Sequence, residues 1–296
     1  MQLNSKRNVE IVGMPLDLGQ SERGTDVGPT ALRYARLVER LREQGHSVTD
    51  HGNIEVPTFA KVRAEERDNV IESVNRQLFE RCIDVQAHGG FPLVLGGDHS
   101  IVMGSVAASV HTGKTGLIWV DAHGDFNTPD TSPSGNVHGM PLAALLGRGD
   151  PRFTSLVPQA PVAAEDVVLV GVRQLDALER EALKSAQVRV YSMREVDERG
   201  IHAVIREALQ QLSHTPRLHL SLDLDALDPS EAPGVGTPVR GGLTYREAHF
   251  LMEEIAASNR LVAMDVVEIN PMLDVRNQTA VTAVDLVLSA LGQTIL

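Results

Sequence analysis

The chain has 296 residues, with 39 acidic against 27 basic side chains and a formal net charge of −12. That balance argues against a sequence-independent nucleic-acid binder, which needs a basic face, and suits a cationic substrate. With 42% hydrophobic but only 3% aromatic residues, the core must be built mainly from Val, Leu, Ile and Ala.

The length fits one large α/β domain, and no Pro/Gly/Ser-rich linker, charge block or internal repeat divides it, so a single domain over 1–296 is expected. One Cys excludes an intramolecular disulfide framework. No segment approaches the ~18 apolar residues of a membrane span. The opening MQLNSKRNVEIVGMPLDLG lacks an apolar run followed by a cleavage site. A cytoplasmic protein with no membrane partner is expected.

In chain order, the first strand-like run is 9–12. A helix over 29–44 follows, with Pro29 in its first turn and Gly45 just past its end. A second helix, 66–86, contains Cys82, read as a buried small hydrophobe and not as a nucleophile. Strands at 92–95 and 116–120 come next, and then the polar stretch NTPDTSPSGN at 127–136, which has no periodicity. Long loops in compact domains are usually functional or disordered. Beyond it, strands at 167–169, 188–191, 218–222 and 262–267 interleave with helices at 177–185, 203–212, 245–258 and 279–291. Such alternation predicts a three-layer α/β/α arrangement with a mostly parallel sheet covered on both faces.

Four polar motifs stand at the C-terminal ends of these strands: GGDHS at 96–100, DAHGD at 121–125, DLD at 223–225, and Glu268. Ligands of open α/β sheets bind beyond the carboxyl ends of the strands. Asp121, His123 and Asp125 are two apart, as are Asp223 and Asp225. In extended backbone, residues i and i+2 point the same way. With His99 they give four carboxylates and two imidazoles, enough for two metal ions. Oxygen and imidazole donors without thiolate point to Mn²⁺ or a similar first-row ion, and two such ions acidify a water into a nucleophile near neutral pH. Asp98 is read as orienting backbone or a group behind the ligands, and not as a ligand. His46, His51, His88, His111, His202, His214, His219 and His249 are read as surface or satisfied core histidines.

GGDHS, DAHGDFN at 121–127, SLDLDALDP at 221–229 and VVEINP at 266–271 resemble the ureohydrolase family, and the likeness runs through nearly the whole chain. NTPDTSPSGNVHGMP at 127–141 is similar to the arginase branch of that family and not to the agmatinase branch. The resemblance implies a single α/β domain about an eight-stranded parallel sheet, assembled as a homotrimer or homohexamer. It implies two Mn²⁺, one held by His99, Asp121, Asp125 and Asp223, the other by Asp121, His123, Asp223 and Asp225. It further implies that Glu268 holds the substrate guanidinium and that His123 and Asp125 face the substrate. Asn127 and Ser134, with Asn136 nearby, would contact an α-carboxylate, and Asp176 an α-amino group. Thr237 would line the site, and His138 would shuttle protons at its mouth. Gln174 stands where many members of the branch carry Asp, one negative charge fewer beside the presumed amino-group position.

The reaction so implied is hydrolysis of L-arginine to L-ornithine and urea, with Asp125, His138 and Glu268 as catalytic groups. Alternatives from the residues are another guanidino or formimino ureohydrolase, a dinuclear metallophosphoesterase and a silent metal-bound oligomer. The phosphoesterase would want Arg or Lys beside the metals to meet phosphate, and the four motifs contain none.

Overall fold

The computed structural model describes residues 6–158 and 160–293; the first five residues of the opening stretch lie outside them. The strands are β1 (Asn8–Met14), β2 (Ser47–Asn53), β3 (Phe91–Gly96), β4 (Thr115–Val120), β5 (Val167–Val172), β6 (Arg189–Ser192), β7 (Arg217–Asp223) and β8 (Leu261–Val267). They form one parallel sheet in the order β2-β1-β3-β8-β7-β4-β5-β6. Seven of the eight coincide with strands read from the sequence. The eighth, β2, was not anticipated: SVTDHGN is polar and six of its seven residues are exposed, so this edge strand carries no apolar run.

Helices cover both faces, completing three layers. Strand residues alternate between two cores, as parallel strands buried on both sides must. Ile118 and Val120 of β4 face one core, with the helices at Gly28–Tyr34, Ile201–Gln211, Tyr245–Ala257 and Gln278–Ala290; Leu117 and Trp119 face the other, with those at Arg67–Ala87 and Val102–His111. Cys82 is buried in the second core, and burial pushes its thiol pKa up, as a small hydrophobe should behave.

The expected helix over 29–44 is two, Gly28–Tyr34 and Leu37–Glu43, broken where Arg36 takes a left-handed conformation (φ 66°). Helices at Val102–His111, Pro141–Leu145, Pro151–Thr154 and Met193–Arg199 had no counterpart in the sequence reading. VMGSVAASVH is small and buried nearly all round, so it shows no amphipathic period. No helix among the described residues is long and apolar enough to cross a membrane.

The topology decides where the motifs go. β3, β8, β7 and β4, the strands that end in the four polar motifs, are consecutive neighbours at the centre of the sheet. Their carboxyl ends therefore open on one crevice. Gly97 makes the turn after β3 possible: a Cβ there would lie 1.9 Å from the Leu16 carbonyl oxygen, so the N-terminal loop can pack against that turn only when residue 97 lacks a side chain.

Candidate active site

The six residues selected by spacing converge, by a route other than the one expected. β4 ends at Val120, so 121–125 are not extended, and Asp125 is left-handed (φ 49°). Asp223 closes β7 and caps a 3-10 turn, Leu224–Ala226, its Oδ1 accepting the Asp225 amide at 2.8 Å. Turns aim these side chains, because carboxylates that accept nearby backbone N–H groups hold the chain in tight bends.

His99 Nδ1 lies 2.9 Å from Asp125 Oδ2, 3.0 Å from Asp223 Oδ2 and 3.2 Å from Asp121 Oδ2. On the other side of Asp121, His123 Nδ1 lies 3.0 Å from Asp225 Oδ2 and 3.4 Å from Asp121 Oδ1. His99 and Asp121 with Asp125, and His123 and Asp225 with Asp121, form two overlapping groups that can each hold a metal ion, with Asp121 common to both. Asp223 faces the first group through His99.

The ring of His99 is fixed from behind. It stacks on Trp119 at 4.3 Å, and its Nε2 meets Ser221 Oγ at 2.9 Å. Trp119 also donates to Asp121 Oδ2 at 2.9 Å. With Nε2 paired to Ser221, Nδ1 faces three carboxylate oxygens. Neither His99 Nδ1 nor Asp125 Oδ2 has a hydrogen-bond partner, and both are buried. Converging lone pairs with nothing between them call for a positive charge, so the donor set fits divalent cations.

The titration of the cluster expresses the same demand. Burial alone would lower the histidines, but the Asp125, Asp121 and Asp223 carboxylates hold His99 well above its ordinary value, and Asp225 and Asp121 push His123 up to about 12. Burial and the neighbouring Asp121 raise Asp125 to about 6, and burial with Asp225 and Asp121 raises Asp223 strongly. An anionic pocket this crowded takes up protons when it lacks cations.

Glu268 follows β8 in the left-handed region (φ 63°) and is 1% exposed. Its Oε1 accepts the His99 amide at 2.7 Å and meets His138 Nδ1 at 2.9 Å, while Oε2 has no partner. His138 therefore roofs Glu268 and forms the wall of the cleft there. Burial lowers His138, but Glu268, then Asp125 and Asp98, outweigh it and raise the imidazole to about 9. Asp98 behaves as read: it accepts the Gly19 amide at 2.9 Å and the Ser100 amide at 3.1 Å.

A cleft of about 260 Å³ opens over the cluster, lined by His99, His123, Asp125, Asp223 and Asp225 below and by Asn127, Ser134, Asn136, His138, Asp176 and Thr237 around it. Every site residue read from the sequence except Asp121 and Glu268 reaches this wall, and those two lie buried beneath it. Asn127 Nδ2 donates to Asp176 Oδ2 at 3.0 Å, joining the 127–136 loop to the helix Ala177–Ala186. Asn136 Oδ1 accepts from Ser21 Oγ at 3.1 Å, and Thr237 Oγ1 donates to Asp225 Oδ2 at 3.0 Å. Gln174 is exposed at the rim. Glu179, which also lines the cleft, was missed. It is buried, accepts the Phe126 and Asp176 amides at 3.0 and 3.1 Å, and is raised to about 7, chiefly by burial. Asp176-Ala-Leu-Glu179 is a capping-box spacing, a signal that would have located it.

Compared with known proteins, residues 7–292 match the model of the arginase family. The chain belongs to the arginase family. It is 47% identical over 295 residues to an arginase of Bacillus subtilis, covering 98% of this chain and 99% of that one. The crystal structure of arginase from Bacillus subtilis superposes with a TM-score of 0.93 at 46% identity, covering 98% and 100% of the two chains. That of the arginase from Bacillus caldovelox gives 0.93 at 44%, with the same coverage. Family membership together with the His/Asp cluster makes the chain a metal-dependent amidinohydrolase.

Proposed function

We propose that the chain hydrolyses L-arginine to L-ornithine and urea with two Mn²⁺ ions. The observation that carries the reading is the meeting of His99 Nδ1 with three carboxylate oxygens with no hydrogen bond among them, beside the unpartnered Oε2 of Glu268. His99, Asp121, Asp125 and Asp223 would hold one ion, and Asp121, His123, Asp223 and Asp225 the other, so that Asp121 and Asp223 would be shared. Two divalent cations, when bound, supply an acidified water as nucleophile and positive charge against the negative charge that develops on the substrate.

The chain's own residues do the rest. Glu268 Oε2 takes guanidinium N–H groups, fixing the planar group over the cluster by a charge-assisted bond. Asp125 Oδ2 carries the proton to the leaving amine, and His138, at the cleft wall, exchanges protons with solvent. Asn127, Ser134 and Asn136 meet the α-carboxylate, Asp176 the α-amino group, and Thr237 holds Asp225 at the far wall. Assembly as a homotrimer or homohexamer belongs to the same reading, supported by family membership alone.

The test is urea release by metal-stripped protein after Mn²⁺ is restored, across arginine, agmatine, guanidinobutyrate and formiminoglutamate. Arginine should be turned over fastest, and only with metal. Full activity after verified removal of all metal, or a different preferred substrate, would overturn the assignment.

A further inference from the structure

Arg173, the first residue beyond β5, spends its whole guanidinium on main-chain carbonyls. Nη2 donates to Asp225 at 2.7 Å, Val239 at 2.6 Å and Leu227 at 3.2 Å; Nη1 donates to Ala226 at 3.1 Å and Gly171 at 3.2 Å; Nε donates to Val239 at 3.1 Å. It makes no ion pair among the described residues. Three of these carbonyls belong to the turn after β7, which directs the Asp225 carboxylate at His123 Nδ1 (3.0 Å) and the Ala122 amide (3.2 Å). A fourth, Val239, lies two residues from Thr237, whose hydroxyl donates to the same Asp225 carboxylate. One side chain thus ties together the end of β5, the turn bearing Asp225 and the segment bearing Thr237.

The seat for that side chain is built. A Cβ on Gly242 would lie 2.5 Å from the Leu227 carbonyl carbon, 2.5 Å from the Asp228 nitrogen and 2.6 Å from Arg173 Nη2, so only glycine lets the segment close over the guanidinium. Asp228 fastens the same turn from the other side, accepting the Gly241 amide at 2.8 Å and the Ser230 amide at 3.0 Å. Lysine could not replace the arginine in kind, since an ammonium has no planar fork to reach carbonyls on three segments at once.

We propose that Arg173 is a positioning residue for the metal position on the His123 side, setting the aim of Asp225 and Thr237 while touching neither His99 nor Asp125, the ligands that belong to the other position alone. The inference rests on the dinuclear reading above. Groups that orient ligands from behind govern affinity by about 10- to 100-fold. The experiment is Mn²⁺ binding to metal-free protein, by calorimetry and by the spin coupling of the bound pair in electron paramagnetic resonance, for wild type, Arg173→Met, Arg173→Lys and Asp228→Asn.

Wild type should bind two coupled ions. Arg173→Met should keep one ion with unchanged affinity, lose about 10- to 100-fold at the other, and show an uncoupled spectrum at one equivalent. Arg173→Lys should recover only part of this. Asp228→Asn, a half-buried change that leaves the Arg173 side chain in place, should weaken the same position less, and it decides the matter if the Arg173 variants do not fold. A wild type that binds no pair sinks the dinuclear reading itself. A wild-type pair with undiminished affinity in the variants, or with equal weakening at both positions, overturns the role of Arg173, because a general loosening does not choose between the two.

Discussion

Glu268 is a buried carboxylate in left-handed backbone, with one oxygen engaged by His99 and His138 and the other unpartnered. A non-Gly residue held there costs about 1–3 kcal/mol, and such residues cluster at functional sites. Glu268→Gln keeps the shape and removes the charge. Truncating one partner of a buried charge pair costs about 2–5 kcal/mol, so kcat/KM for arginine should fall at least about 30-fold, with metal content by elemental analysis nearly unchanged. Turnover near wild type would remove Glu268 from substrate binding. Its position was legible in the sequence, because a lone carboxylate followed an apolar strand. Its backbone conformation, like that of Asp125, was not, since positive φ outside glycine leaves no mark in composition.

Glu179 gives a pH prediction. Burial, with Asp125 and Asp176 nearby, raises its carboxyl from 4.5 to about 7 against the pull of two amide hydrogen bonds. The folded state therefore holds this proton more tightly than the unfolded chain does. Its contribution to stability is complete below about pH 4.5 and is lost as pH rises toward 7. In metal-free protein, the melting temperature of wild type should drop more between those limits than that of Glu179→Gln. Parallel profiles would mean that Glu179 is not the group responsible.

Among the elements, the polar loop 127–136 tests the specificity argument. Arginine and agmatine share the guanidinium and differ in the α-carboxylate, so the metal cluster and Glu268 cannot separate them. Asn127, Ser134 and Asn136 do reach the cleft wall, and hydrogen bonds to a charged group contribute about 1.5–3 kcal/mol each. An Asn127→Ala, Ser134→Ala double variant should lose about 100-fold or more in kcat/KM for arginine while its weak agmatine rate stays level. Comparable wild-type rates on both substrates would end the carboxylate argument. The sequence revealed this loop by its lack of periodicity. It concealed β2, whose polar exposed residues are stabilised by pairing with β1 and not by burial. It also concealed the break at Arg36, because the apolar spacing of the helix continues across it.

At the scale of the whole molecule, the cluster lies where four central strands end, so metal and fold should be coupled. The sequence carried this much, because apolar runs and the polar residues after them named the strands that matter; only their adjacency in the order β3-β8-β7-β4 needed the structure. Asp121, Asp125, Asp223 and Asp225 are at most 6% exposed, and without cations their mutual repulsion favours protons on His99, His123, Asp125 and Asp223. A ligand that binds only the folded state stabilises it by about 4 kcal/mol when present at a thousand times its Kd. For a chain of this size each kcal/mol moves the melting temperature by roughly 2 °C, so each filled position should add roughly 8 °C. Thermal unfolding of chelated protein with and without Mn²⁺ at neutral pH, at fixed protein concentration, measures this directly. The increase should be large in wild type, and it should nearly vanish in Asp121→Ala and Asp223→Ala, each of which would remove a shared ligand. It should survive in Glu268→Gln, which leaves all six cluster side chains in place. An unchanged melting temperature on adding Mn²⁺ to wild type would show that the four carboxylates are not a metal site, whatever the rates measured on arginine.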